Sequence, residues 1–561
     1  MPCTVLAAAR AGPTRPPLLA HSMDTAGPSD FRLVRIPPNC DPPHPRPVYR
    51  WDERAVPRFA GVGRGPIPAY SDATYWPDGV SCEPLEQIGT MPQTDCLDGT
   101  YGYWEAASGI ANDHGVSIAE STCSAIFGAE LRGSAGGTAL LSYMELTRIA
   151  LERCKSAREA VELMGALAEE HGFAGNSADL MGSAESLAVA DTEEAWVMHV
   201  LPDDTGTSAI WAAQRVEEGH AAAVANHFVI REMALDHAPG ADAFLLSSNA
   251  RAVAERHGRW RRGDPFDFTA AFSAGEPRQR YYCGRRQWRA LSLFAPSLHL
   301  PAEYDHLARD GPYPFSVVAE APLSAERFMR IMRDTYAGTP FDMSAQQPAA
   351  GPFGLTDRYD SGAYPRREAA GGGEERLPYF ERPIGVHRMS YSYVCEPSRA
   401  GLPVVHFAPH TSLTSVYLPV LCRPEESAIP SPLACGSVKA IDRAAAYWAF
   451  RIVKQNAKGL VWNRCLSIIQ QRQQQWEARA AAILDEDDMA VPTRKSEALH
   501  GLARDVVADW FEMLDEMLLR FGDGYEYKWD EDGQSESAPL TYPVEWLERV
   551  ADWEPVETDE D

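Results

Sequence analysis

Residue 3 is a cysteine that leads straight into an apolar run, Cys3-Thr4-Val5-Leu6-Ala7. A second short run, Leu18-Leu19-Ala20, ends in the polar cluster His21-Ser22-Met23-Asp24-Thr25. Gly12-Pro13 and Pro16-Pro17 separate the two runs, which therefore read as two strands joined by a turn. Paired antiparallel, the strands bring Cys3 near Asp24. A cysteine in this position has chemistry that an internal one lacks. Its thiol is the nucleophile, and its own α-amine, once free, is the base. The competing reading is a thiol buried in an edge strand, since free cysteine is among the most buried residue types.

Other chemistries are poorly represented. No H-E-x-x-H, G-x-S-x-G or G-x-x-x-x-G-K stands in the chain. Gly61-Val62-Gly63-Arg64-Gly65 is glycine-rich but lacks the spacing and strand-to-helix context of a dinucleotide loop. His220 and His227, separated by strand and turn, make a poor metal pair, and the sequence calls for no metal and no cofactor. The 11 cysteines include no C-x-x-C pair, which excludes zinc ribbons and thioredoxin-type motifs. An odd, scattered set suits reduced thiols in the cytosol better than a disulfide framework.

The formal net charge of -27 argues against sequence-independent nucleic-acid binding and against docking on anionic membranes. No apolar run approaches the ~18 residues of a membrane span. At ~100–200 residues per domain, 561 residues allow two to four domains, or one large one with appendages.

The elements that must hold Cys3 begin near residue 99. Val116-Ser117-Ile118-Ala119-Glu120-Ser121-Thr122 alternates as a half-buried strand. The spacing predicts a helix from Met144 to Leu151 and a second one opened by the capping box Ser156-Ala157-Arg158-Glu159. Strands follow at 186–191, 195–200, 211–216 and 222–225, the last leading into Asn226. A helix is expected from Leu323 to Tyr336, with strands at 404–407 and 416–418. No proline falls between Pro432 and Pro492, so 438–484 reads as one or two long helices. Leu499, Leu502, Val506, Trp510, Leu514 and Leu518 form a further helical stripe, read as core packing. Strands, a helix pair, then more strands imply an α+β layered domain.

Several stretches together resemble the cysteine dipeptidases and the secernins, within the N-terminal nucleophile (Ntn) hydrolases. Cys3-Thr4-Val5 is similar to the family's opening, and Ala20-His21-Ser22-Met23-Asp24-Thr25 to its following segment. Asn112-Asp113-His114-Gly115-Val116, Leu146-Thr147-Arg148-Ile149 and Trp211-Ala212-Ala213-Gln214-Arg215-Val216 look like family strands and helices. The most specific stretch is Arg333-Asp334-Thr335-Tyr336-Ala337-Gly338-Thr339-Pro340-Phe341-Asp342-Met343, followed by Ala350-Gly351-Pro352-Phe353-Gly354. The resemblance implies an αββα four-layer sandwich over 1–343. The residues themselves read after it as a Gly/Pro-rich loop or linker at 344–383, returning core strands at 384–430, a helical C-terminal region at 431–525 and an acidic tail at 526–561.

The resemblance also implies roles. Cys3 attacks the carbonyl carbon of an amide in a dipeptide or short peptide, and Asp24 holds the α-amine. Asn226 donates to the tetrahedral oxyanion, and Arg286 supports the nucleophile, with Arg285 and Arg289 as neighbours not excluded. Taken alone, Asp24 also reads as a turn carboxylate, Asn226 as a capping residue and Arg286 as part of an exposed basic turn. His21 replaces a family arginine, so one or two titratable donors stand where a permanent charge is expected. Met1-Pro2 precedes Cys3 and leaves its nitrogen an amide until the Pro2-Cys3 bond is cut. Two competing readings remain, a non-catalytic secernin-like scaffold and an amidohydrolase for non-peptide amides. The expected partner is a short peptide substrate in the cytoplasm, and the sequence leaves room for a homo-oligomer.

Overall fold

The computed structural model describes residues 3–12, 15–25, 29–39, 45–51, 85–92, 99–176, 182–234, 240–274, 280–303, 313–345, 348–359, 380–399, 401–426, 429–438, 440–486, 492–530 and 532–550. Met1-Pro2, the glycine-rich 61–65, most of the irregular 26–98, residues 360–379 and the last eleven residues of the acidic tail lie outside the described residues.

The chain mixes helix and sheet. It opens with β1 (Cys3–Ala8) and β2 (Leu18–Asp24), then β3 (Ser117–Cys123). Helices α1 (Tyr143–Arg153) and α2 (Ala157–His171) follow, the second entered through the expected Ser156–Glu159 capping box. Next come β4 (Ala184–Ala190), β5 (Ala195–Pro202), β6 (Ala209–Arg215) and β7 (His220–Val224). Two more helices, α3 (Arg285–Phe294) and α4 (Ala325–Met332), precede β8 (Met389–Arg399), β9 (Leu402–Pro409) and β10 (Leu418–Leu421). The chain continues with α5 (Ala446–Gly459), α6 (Trp462–Asp485) and α7 (Pro492–Arg520).

One antiparallel sheet runs in the order Ser316–Val318, β7, β1, β2, β8, β9, β10. The other runs Phe244–Leu246, β6, β5, β4, β3, Gly109–Asn112, Tyr103–Glu105, Val34–Ile36. In the first sheet Cys3 pairs with Met23 and Val5 with His21, so Cys3 and His21 share one face.

The period of two in β1 and β2 decides which way each side chain goes. Val5, Ala7, Leu19 and Met23 pack with Ala119, Ala188 and Val197 of the second sheet. Leu6, Ala8, Leu18 and Ala20 meet Leu291 and Phe294 of α3 and Phe328 and Met332 of α4 on the other side. On the second sheet, Leu187, Val189, Trp196 and Met198 pack with Leu146 and Ile149 of α1 and Val161 and Met164 of α2. At ~1.5–3 kcal/mol for each fully buried large apolar side chain, these layers fix the register of β1. A slip of one residue would take Cys3 out of the site.

The proline-free stretch at 438–484 holds two helices, α5 and α6, with the break at Leu460-Val461. In α7, Leu499, Leu502, Val506, Trp510 and Leu514 are buried as the stripe predicts, whereas Leu518 is exposed. Leu518 points away from the core, which Met517 before it and Phe521 after it join. No described helix is long and apolar enough to cross a membrane.

Candidate active site

Every sequence-predicted site residue comes to Cys3, to a side chain that touches it or, for Asp24, near enough for its charge to act on the thiol. Cys3 is fully buried at the first position of β1. Its backbone N–H donates to Asn226 Oδ1 (3.1 Å) and its carbonyl accepts from Arg286 (2.7 Å). Arg286 is on the first turn of α3, wholly buried rather than in an exposed basic turn. Its guanidinium also donates to Thr4 Oγ1 (3.0 Å), Asn226 Oδ1 (2.7 Å) and, through Nε, the Tyr282 carbonyl (2.8 Å). Arg285 and Arg289 are used elsewhere, on the Ala302 carbonyl and on Asp334.

Asn226, just past β7, has φ 61°, a left-handed conformation that asparagine tolerates better than most residues. Its N–H donates to Ser121 Oγ (2.9 Å) and its Nδ2 to the Thr122 carbonyl (2.7 Å). Two donors on Oδ1 and an acceptor on Nδ2 leave one consistent orientation for the amide.

His21 and Asp24 have different partners from those the sequence suggested. His21 Nε2 donates to Glu120 Oε1 (3.2 Å), and its ring packs against Tyr393 at 4.9 Å. Asp24 Oδ2 accepts from Arg382 (2.9 Å), while Oδ1 has no hydrogen-bond partner among the described residues. The guanidinium beside Asp24 therefore comes from Arg382, at the far end of the 344–383 stretch, and not from the position that His21 occupies. With Pro2 still attached the Cys3 nitrogen is an amide, and Asn226 rather than the Asp24 carboxylate takes its N–H, while the charge of Asp24 acts on the Cys3 thiol.

Glu120 on β3 links the two halves of the site. Its Oε1 accepts from the Cys3 thiol (3.2 Å) as well as from His21. Burial pushes the Cys3 thiol well up, and the charges of Glu120 and Asp24 push the same way, so the resting thiol keeps its proton. Burial would also raise Glu120, but the hydrogen bond and charge of His21 and the Cys3 hydrogen bond outweigh it and hold Glu120 low. Glu185 on β4 is driven well above the usual carboxylate range by burial and then by Glu120. Protonated, it can donate to Glu120 while its Oε1 accepts from Thr122 (3.2 Å) and Asn176 (3.2 Å). Burial and the charge of Glu120 thus favour a protonated Glu185 beside an ionised Glu120.

Neither glutamate was singled out from the sequence, although a signal was there. Glu120 continues the alternation of Val116 and Ile118, and Glu185 that of Leu187 and Val189. A carboxylate in an apolar register needs a partner. Arg382 lies in a charge-rich stretch with no periodicity to mark it. His220 and His227 do not meet. His220 bonds Ser316 and His227 bonds Gln287, and burial takes His227 down to about 4.

The raised Glu185 sets a pH dependence. A glutamate whose folded pKa is raised takes up a proton on folding. Its contribution is complete below the unfolded value of ~4.3 and is lost as pH rises toward the folded value. Glu185→Gln keeps the shape and supplies a permanent donor. Urea unfolding should show the variant more stable than wild type near pH ~8, with the gap closing toward pH ~4.3. A gap that is constant with pH, or that widens in acid, would contradict a protonated Glu185.

A buried thiol, an imidazole and a carboxylate thus meet at one point, with a second buried carboxylate acting on the first. Residues 83–475 match the model of peptidase family C69, and the chain belongs to that family, which comprises the cysteine dipeptidases and secernins. The matched span holds Glu120, Glu185, Asn226, Arg286 and Arg382, whereas Cys3, His21 and Asp24 precede it. Among solved structures, penicillin V acylase from Agrobacterium tumefaciens matches at 13% identity, over 75% of this chain and 86% of the acylase, with a TM-score of 0.30.

Proposed function

We propose that this protein is an Ntn-type cysteine peptidase of αββα architecture that hydrolyses the amide bond of dipeptides or other short peptides through a thioester on Cys3. The observation that carries this reading is the hold on the main chain of Cys3. Asn226 takes its N–H, and Arg286, together with Ser121 Oγ (3.4 Å), takes its carbonyl. A merely buried thiol needs no side chains from three elements to position its backbone. A nucleophile whose own nitrogen is the base does.

Once the Pro2-Cys3 bond is cut, the α-amine has a reference pKa of ~7.7–8.0 and can take the thiol proton near neutral pH. Sulfur attacks the substrate carbonyl carbon. The tetrahedral intermediate collapses as the leaving amine takes that proton, and a thioester remains. Water, giving its proton to the same α-amine, attacks the thioester and restores the thiol. Asn226 Nδ2 is the side-chain donor closest in type to an oxyanion partner, and losing one such donor typically costs ~2.7–4 kcal/mol in the barrier. Asp24, with one oxygen on Arg382, holds the released amine. The wholly buried thiol favours short peptides over folded proteins as substrates. Cys3, Cys395, Cys422, Cys435 and Cys465 are free thiols, which suits a reducing, cytosolic setting.

The amino terminus tests this reading. Intact mass of the purified full chain should match a species beginning at Cys3, and turnover of a dipeptide panel should rise with the fraction so processed. A fully active preparation that still carries Pro2 would remove the base and overturn the mechanism.

A further inference from the structure

Three groups in the site carry more than the hydrolytic reading requires. Cys3 Sγ, His21 Nε2 and a Glu120 oxygen all lie within 4.8 Å of one another, and all three residues are buried. Sulfur to Oε1 and Nε2 to Oε1 are each 3.2 Å. In four-coordinate zinc, with Zn–S ~2.3 Å and Zn–N or Zn–O ~2.0–2.1 Å, neighbouring ligand atoms stand about 3.3–3.5 Å apart. The two measured edges are within a few tenths of an ångström of that spacing.

From this geometry we propose that Cys3, His21 and Glu120 form a binding site for a borderline-soft divalent cation, zinc above all, and that metal binding reversibly silences the nucleophile. The binding itself rests on the three side chains. Only its inhibitory consequence rests on Cys3 being the nucleophile.

The donor set selects the ion. One thiolate and one imidazole suit zinc or cobalt and disfavour magnesium and calcium, which take oxygen. Thiolate and carboxylate together offset the two positive charges in a place where an unpaired charge is costly. The protons also balance. The thiol releases its proton to solvent as the S–metal bond forms. His21 ligates through Nε2, whose proton leaves to solvent when the ring is charged and moves to Nδ1 when it is neutral; Nδ1 has no hydrogen-bond partner among the described residues. The fourth position is left for water or for the Cys3 amine once it is free. His21 is central here, because an arginine at this place could not ligate.

The experiment uses the reduced, full-length protein, stripped with a chelator and titrated with Co²⁺ as a spectroscopic probe. One equivalent should bring a thiolate-to-cobalt charge-transfer band in the near ultraviolet and intense d–d bands in the red, and Zn²⁺ should bleach both. Cys3→Ala should lose the charge-transfer band. His21→Gln and Glu120→Gln, which keep the thiol, should each weaken binding by about 10-fold or more. Cooperative melting of each variant in chelator guards against misfolding, and Zn²⁺ should raise the melting temperature of wild type but not of His21→Gln. No band at one equivalent, or the same band in Cys3→Ala, would overturn the site. The two proposals fail separately. Cobalt spectra without peptide turnover would sink the hydrolase reading alone, and turnover indifferent to Zn²⁺ would sink the inhibition alone.

Discussion

Cys3→Ala should lower dipeptide turnover by on the order of 10⁴-fold or more while leaving the protein folded. Alanine keeps the backbone N–H that Asn226 accepts and the carbonyl that Arg286 grips, so the strand and its register survive. The loss in stability is that of a small buried group, about 1 kcal/mol, and the charge of Glu120 remains satisfied by His21. Cys3→Ser holds an oxygen in the same place but without the acidity of a thiol, and should recover a small part of the activity at most. The same variants report on maturation. If Cys3 attacks the Pro2 carbonyl itself, Cys3→Ala retains Met1-Pro2 in its intact mass. If another peptidase trims the chain, Cys3→Ala is trimmed like wild type. Turnover by Cys3→Ala at the wild-type rate would end the assignment of the nucleophile.

How much of this was legible in the sequence follows from where each signal is stored. β1 and β2 were readable as short apolar runs set apart by turn residues, and β3 by its local alternation. The capping box of α2 was readable for the same reason. β8 was not read as a strand, although it lies next to β2 in the sheet. Its Met-Ser-Tyr-Ser-Tyr start alternates serine with tyrosine, a strand signal that went unused, and only Pro397 weakens it. α3 was read as a basic turn because its three early arginine and glutamine side chains mask the apolar positions Ala290, Leu291 and Phe294. The charges are buried because the carbonyls of Cys3 and Tyr282 and the amide of Asn226 accept from them, and such partners are invisible in a linear reading. The same limit applies to Asp24 and Arg382, which are 358 residues apart in the chain. Residue types could suggest that Asp24 wants a cation, but only the fold shows which one it has.

Arg286→Met should be the most damaging substitution away from the nucleophile, in stability and in turnover together. Among the described residues, the hydrogen bonds of this guanidinium end on neutral oxygens of Cys3, Thr4, Tyr282, Ala225 and Asn226, with its charge 4.9 Å from the Tyr282 ring. Methionine fills much of the volume but satisfies none of them. Breaking a buried network of this kind costs roughly 3–5 kcal/mol, against ~1 kcal/mol for an ordinary hydrogen bond. Lysine is no substitute. Its ammonium is a single point of charge and cannot bridge the Cys3 carbonyl, Thr4 Oγ1 and Asn226 Oδ1 at once. Arg286→Lys should therefore fold better than Arg286→Met and yet turn over at least about 10-fold more slowly than wild type, since a small displacement of the reacting sulfur is enough for that. Urea midpoints together with kcat for both variants make the comparison. A structural arginine would give a loss of stability with kcat unchanged in the folded fraction, whereas a residue that positions Cys3 gives a kcat that falls even where folding is intact. Arg286→Lys with both quantities at wild-type values would show that the grip on the Cys3 backbone is not what sets the nucleophile in place.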